Sequence, residues 1–244
     1  MARSEPGNMA TTIARKRWPP LVTFSGIDGA GKSTQIGAIH SRLSQAGLQV
    51  RLLAFWDDVA TLARAREFLS HVLFKGEKGV GSPGQPVLRR DKDVRSWYMT
   101  AARFVLYFLD ALRLSAVVAK ISATADADII MFDRYLYDEL ANLDLSNPVS
   151  RVYVRLLLKV IPHPDLACLL DADPVRAHER KPEYRLDFVS SNRASYLALS
   201  TFAGGITVIP PLAAEEVTRR VLQEISQRLP GNPGLVPRDL LTSR

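Results

Sequence analysis

Cysteine is almost missing from this 244-residue chain: Cys168 stands alone, and a single thiol excludes an internal disulfide framework. It lies in the apolar run 166–170 and reads as a small core residue rather than a nucleophile. Histidine is scarce too, and the four residues His40, His71, His163 and His178 lack the short spacing of a metal site, so each reads as structural. No apolar run approaches the roughly 18 residues that span a bilayer, and the first residues hold no apolar stretch of a secretory signal. A cytoplasmic protein without membrane contact is the expectation.

What is present is positive charge: the formal net charge is +7 and the pI about 9.7. Such a balance suits nucleic acid, an anionic surface or acidic small molecules. The basic cluster Arg15-Lys16-Arg17 sits in a polar arm ending at Pro19-Pro20, and the remaining arginines are scattered without a stripe of interleaved aromatics. Phosphate-rich small molecules are therefore the expected partners, and nucleic acid is not.

Short apolar runs at 21–25, 50–55, 129–132, 166–170 and 206–209 read as doubly buried strands, separated by stretches of helical period. The alternation predicts an α/β fold, a parallel sheet of about five strands with helices on both faces. Helices are expected over 59–73 and over an unusually long 93–124. Residues 75–91 read as a loop rich in Gly, Pro and Lys. Within it Gly79-Val-Gly81-Ser-Pro-Gly84 fits a dinucleotide-binding pattern, but no strand leads into it and Pro83 interrupts any helix start, so it is set aside. The domain scheme is an N-terminal arm over 1–19, expected to be disordered, a single domain over 20–229, and a proline-bearing tail over 230–244.

The strongest chemical signal follows the first strand. Gly26-Ile27-Asp28-Gly29-Ala30-Gly31-Lys32-Ser33, continued by Thr34, fits the phosphate-binding loop G-x-x-x-x-G-K-[ST]. In this pattern backbone N–H groups wrap the phosphates, the lysine reaches the β- and γ-phosphates, and the serine hydroxyl ligates Mg²⁺. An apolar strand precedes the loop, and Ile36, Ile39 and Leu43 follow at helical spacing, so a helix directs its positive dipole end at the anion. A P-loop NTPase-type three-layer sandwich binding ATP and Mg²⁺ is the expectation.

A second candidate element, Asp133-Arg134-Tyr135, ends the apolar run that starts at Ile129. Ligands bind outside the carboxyl ends of parallel strands, so Asp133 and Arg134 should project toward the phosphate loop. Asp133 is a candidate for holding Mg²⁺ through water, together with Ser33, and Arg134 for gripping a second phosphate.

At these motifs the chain resembles the thymidylate kinase family of nucleoside monophosphate kinases, from about Leu21 to Leu229. Further carriers are Asp173-Pro-Val-Arg176-Ala-His-Glu-Arg180, at the start of a helical lid placed at about 174–187, and the stretch from Phe188 to Ala198 after it. Val208-Ile-Pro210 and Ala214-Glu-Glu-Val217 resemble the adenine loop and last helix. The resemblance implies that Lys32 and Ser33 serve ATP and Mg²⁺, that Asp28 lies near the acceptor sugar or metal, and that Arg134 faces the acceptor phosphate. It also implies a phosphate role for Arg113, which lies 21 residues before Arg134 on the long helix. Lys32, Arg134, Arg180 and Asp28 are the catalytic candidates. Arg113, Arg134, Leu109, Tyr135 and Asp138 are the acceptor-side candidates.

The departures fall on the acceptor side. Phe55-Trp56-Asp57-Asp58 stands where the family has Arg-Glu-Pro-Gly-Gly. Leu109 replaces a base-stacking phenylalanine, with Phe108 about 100° round the helix. Asp138-Glu-Leu-Ala141-Asn142-Leu143 replaces Ser-x-x-Ala-Tyr-Gln. Asp58 is a candidate N-cap or, with Asp57, a base for a hydroxyl acceptor. Ala30 leaves the transferring group to a lid cation, drawn from Arg176, Arg180, Lys181 and Arg185. The expected reaction is phosphoryl transfer from ATP to a nucleoside monophosphate, dTMP first among acceptors, with a homodimer left open. A deoxynucleoside or other small-molecule kinase and a non-catalytic nucleotide-sensing protein remain alternatives.

Overall fold

The computed structural model describes residues 19–61, 97–124 and 126–228. Most of the N-terminal arm, the expected helix beyond Thr61, the loop at 75–91 with its glycine pattern, and the C-terminal tail lie outside the described residues.

Five parallel strands form one sheet: β1 (Leu21–Ser25), β2 (Val50–Ala54), β3 (Ile129–Asp133), β4 (Leu166–Leu170) and β5 (Ile206–Ile209), in the spatial order β2-β3-β1-β4-β5. β1, β3 and β4 are continuous apolar runs because both faces of the sheet are covered. Their side chains alternate between two cores. Leu21, Ile130, Phe132, Ala167 and Leu169 face one, and Val22, Phe24, Ile129, Met131, Leu166, Cys168 and Leu170 face the other. Burial pushes the Cys168 thiol up to about 12, which suits a core position and not a nucleophile.

Two helices close the second core: α1 (Lys32–Gln45), through Ile36, Ile39 and Leu43, and α7 (Ala214–Arg228), through Val217, Val221, Leu222 and Ile225. On the opposite face lie α2 (Trp97–Thr124), α3 (Leu136–Leu140), α4 (Pro148–Val160) and α6 (Leu186–Ala203), with α5 (Pro174–Arg180) packed on α6. The result is the expected three-layer α/β arrangement.

Two boundaries differ from expectation. β2 stops at Ala54 because Phe55–Val59 form a single π-helical turn, closed by the Ala60 N–H donating to Phe55 O at 2.8 Å. Asp58 turns back into this turn and accepts the Ala54 N–H at 2.8 Å, so its carboxylate stabilises the turn instead of capping a following helix. β3 extends through Asp133, which pairs in register with both Phe24 and Ala54.

The sheet order reverses at β1, and the loop leaving it meets two backbone walls. Gly26 has φ +140°, and a Cβ there would lie 2.5 Å from Leu170 O; Gly29 has φ +79°, with its Cβ position 2.2 Å from Ala177 O on α5. Only glycine admits both the left-handed backbone and the close approach. Gly26→Ala should therefore cost about 1–3 kcal/mol of stability. The expected readout is a lower urea midpoint at unchanged m-value, and an unchanged midpoint would contradict the packing described.

Candidate active site

The phosphate loop spans the gap from β1 to α1. Gly31, at φ +86°, precedes the first helical residue, Lys32, and the amides of the first turn point into the loop without helical acceptors. Lys32 is buried, and its Nζ donates to Gly26 O and Ile27 O, each at 2.8 Å. Burial, helped by the nearby charge of Arg134, depresses its pKa to about 8, against the attraction of Asp28, Asp138 and Asp133. Ser33 and Thr34 are exposed on the first turn.

Arg134 sits one residue beyond β3 with φ +66°, a backbone region uncommon for a residue with a side chain, and its N–H is held by Phe24 O at 2.9 Å. Its guanidinium spans two carboxylates: Nη2 lies 2.5 Å from Asp28 Oδ1 and Nη1 lies 3.0 Å from Asp138 Oδ1. Burial works against the charge on Arg134, but Asp138 and Asp28 outweigh it and hold the pKa above its ordinary value. Asp28 is likewise pushed up by burial, and the charges of Arg134, Lys32 and Lys181 bring it below the usual carboxylate value. Asp133, half-buried at the sheet edge, has its pKa raised, chiefly by burial. Asp28, Lys32, Asp133, Arg134 and Asp138 thus form one electrostatic cluster at the carboxyl edge.

A cavity of about 450 Å³ opens beside the loop, lined by Gly31 and Thr34, by Arg176 and Arg180 of α5, and by Pro210, Pro211, Leu212 and Ala214 after β5. Gln35 of α1 fixes that last segment, donating to Ala214 O at 2.9 Å and accepting from Thr218 Oγ1 at 2.7 Å. Of the four basic candidates in and after α5, Arg176 and Arg180 line the cavity, whereas Lys181 pairs with Glu183 at 3.3 Å and Arg185 with Asp187 at 3.3 Å. Arg180 Nη1 approaches within 4.0 Å of the Cβ position at Gly31.

Two of the acceptor-side candidates are buried in the unliganded protein. Tyr135 is fully buried and packs in the core, with its hydroxyl donating to Pro162 O at 2.5 Å. Asp138 is buried as well and touches Arg134, not solvent. Arg113 and Leu109 occupy an exposed face of α2, one turn apart, outside the hydrogen-bonded cluster around Arg134. Sequence reasoning missed Tyr196 of α6, whose hydroxyl donates to Asp138 Oδ1 at 2.7 Å, and the bidentate pair of Arg193 with Asp171 at 2.6 and 2.7 Å. Neither partner is near the other in sequence, so no spacing rule marks them.

No protein-family model matches the chain. It is 28% identical over 193 residues to a thymidylate kinase of Tropheryma whipplei, covering 74% of this chain and 81% of the relative. A probable thymidylate kinase of Archaeoglobus fulgidus is 23% identical, with 72% of this chain and 80% of the relative covered. A thymidylate kinase of Trichlorobacter lovleyi is 28% identical over 83% and 87% of the two chains. Over most of its length the chain is similar to thymidylate kinases.

The Lys32 geometry has a proton-linked consequence. With its folded pKa below the ordinary 10.5, the unfolded chain binds more protons between about pH 8 and 10.5, so Lys32 makes the unliganded protein gain stability as pH rises through that window. Phosphate oxygens at Nζ should reverse the depression. Titration calorimetry of ATP at pH 8, in buffers of different ionisation enthalpy, should show uptake of about half a proton that Lys32→Met abolishes. Equal uptake by the variant would remove Lys32 as its source.

Proposed function

We propose that the protein transfers the γ-phosphoryl group of ATP to dTMP, giving dTDP and ADP, in the manner of the thymidylate kinases it resembles. The observation that carries this reading is the juxtaposition of the phosphate-loop lysine with Arg134, two cations delivered by neighbouring strands to one edge. A donor phosphate and an acceptor phosphate then have separate grips within one site.

Phosphoryl transfer passes through a loose transition state, so the protein's task is in-line positioning and cationic stabilisation. In the proposed step an acceptor phosphate oxygen bonds to the γ-phosphorus while the bond to the β–γ bridging oxygen breaks. The acceptor oxygen is already anionic, and no general base is needed. Gly26 to Thr34 hold the donor phosphates by backbone amides. Lys32 exchanges the Gly26 and Ile27 carbonyls for β- and γ-oxygens, Arg134 exchanges Asp28 for the acceptor phosphate, and Arg180 supplies the lid cation. Arg113 and Leu109 attend the acceptor from α2.

Mg²⁺ belongs to the same proposal. The exposed hydroxyl of Ser33 and the half-buried carboxylate of Asp133 are hard oxygen donors, a sparse set that suits an ion which keeps waters and phosphate oxygens as its remaining ligands. Mg²⁺ there would neutralise charge on the transferring group. A cytoplasmic setting without nucleic-acid partners is part of this reading; no described helix is long and apolar enough to cross a membrane.

The test is coupled ADP release across nucleoside monophosphates, thymidine and a no-acceptor control. dTMP should be turned over, Lys32→Ala should lower kcat by about 100-fold or more, and Arg134→Lys should raise KM for dTMP by about tenfold, since a point charge cannot reproduce a bidentate grip. Turnover of thymidine alone, lost in Asp57→Asn, would replace this reading with a nucleoside kinase.

We further propose a homodimer. α2 and α4 lie side by side, with Phe104 stacked on Tyr153 at 4.0 Å, and they expose Val105, Phe108 and Leu112 beside Val152, Leu156 and Val160. Exposed apolar side chains on two neighbouring helices suit self-pairing across a two-fold axis. Light scattering after size exclusion should give twice the chain mass for the wild type and a single-chain mass for Leu112→Glu; a monomeric wild type would refute the pairing.

A further inference from the structure

Asp138 occupies the place where the family resemblance leads to serine, four residues after Arg134. A buried carboxylate is costly unless its oxygens are satisfied. Here four donors converge on it from three separate elements. Oδ2 accepts the Ser25 hydroxyl from the end of β1 at 2.6 Å and the Tyr135 N–H at 3.1 Å; Oδ1 accepts Arg134 Nη1 at 3.0 Å and the Tyr196 hydroxyl of α6 at 2.7 Å. A helix-capping role accounts for the Tyr135 contact alone. It leaves the Ser25, Tyr196 and Arg134 contacts without a purpose.

The two carboxylates on Arg134 are not equivalent. Asp28, on the phosphate loop, keeps 25% of its side chain exposed, while Asp138 keeps 2%. An anion arriving from solvent can displace the first and cannot reach the second. We propose that Asp138 is a positioning residue for the acceptor phosphate: it locks the Arg134 guanidinium through Nη1, so that the Nη2 edge, surrendered by Asp28, meets that phosphate in a set orientation. Tyr196 carries the lock onto α6, the helix that follows the lid segment, and so ties the acceptor grip to the element packed against α5. The backbone of Arg134, held in the left-handed region by Phe24 O, gives the side chain a fixed origin, and Asp138 fixes its far end.

The proposal rests on the monophosphate kinase reading, and the experiment separates the two. Wild type, Asp138→Asn, Asp138→Ser and Tyr196→Phe are compared for KM of dTMP, KM of ATP, kcat and thermal midpoint. Asp138→Asn keeps the shape and removes the ion pair, so KM for dTMP should rise by about tenfold or more while KM for ATP stays within about twofold. Asp138→Ser should do the same, and Tyr196→Phe should raise the dTMP KM by about threefold, in the same direction. A lower thermal midpoint with both KM values unchanged, or equal rises in both, would overturn the positioning role. Should the Asp138 variants fail to fold, Tyr196→Phe decides alone, and an unchanged dTMP KM in it overturns the proposal. Wild-type protein that turns over no nucleoside monophosphate would overturn the kinase reading itself, an outcome visible before any variant is compared.

Discussion

The central strand β1, buried on both faces, is the constraint on which the rest depends. Because β3 and β4 pair with it on either side, its carboxyl end is the point where the sheet order reverses, and anything leaving it must pass between two backbones. Gly26 passes Leu170 O with no room for a Cβ, and Gly29 touches Ala177 O of α5 in the same way. Main-chain packing thus fixes the path of the loop, and Lys32 braces it by donating to the Gly26 and Ile27 carbonyls. The same parallel register brings Asp133 alongside Phe24 and so delivers Arg134 to the loop.

Charge at this edge is balanced internally. Lys32 rests on two carbonyls, and Arg134 on two carboxylates. In a half-buried setting an uncompensated cation is expensive, so the unliganded site satisfies its own donors. Under the proposed reaction, ligands exchange partners with these groups, and binding becomes a substitution among hydrogen bonds. That arrangement favours selectivity for anions able to offer several oxygens at once, since a weaker acceptor does not outcompete the carbonyls already in place.

The acceptor side is where the chain departs from the family it resembles, and the structure gives the departures a physical form. The segment after β2, without its arginine, closes into a π-helical turn braced by Asp58. The aspartate at 138 adds a buried negative charge that its neighbours fully satisfy. Under the proposed reaction, orienting the acceptor falls to Arg134 and its supports, in place of a second arginine from the segment after β2.

Much of this was legible in the chain itself. Doubly buried strands show as unbroken apolar runs, and a phosphate loop shows because its glycines answer a local backbone requirement that nearby residues must meet. Strand positions, the three layers, the loop and the Asp133-Arg134 element all follow from such local causes. A motif gives neighbourhood and not direction: Arg134 keeps a partly exposed edge, whereas Tyr135, Tyr137 and Asp138 beside it in sequence are buried. The contacts of Asp138 with Ser25 and Tyr196 join residues 113 and 58 positions apart, and Arg193 reaches Asp171 across 22. No period or propensity encodes such distances. What the amino-acid order determined by itself was every feature that one element's own burial or backbone geometry demands; which charges meet, which are sealed and which face solvent was decided only when separate elements packed, because a buried charge takes its partner from whatever the fold places beside it.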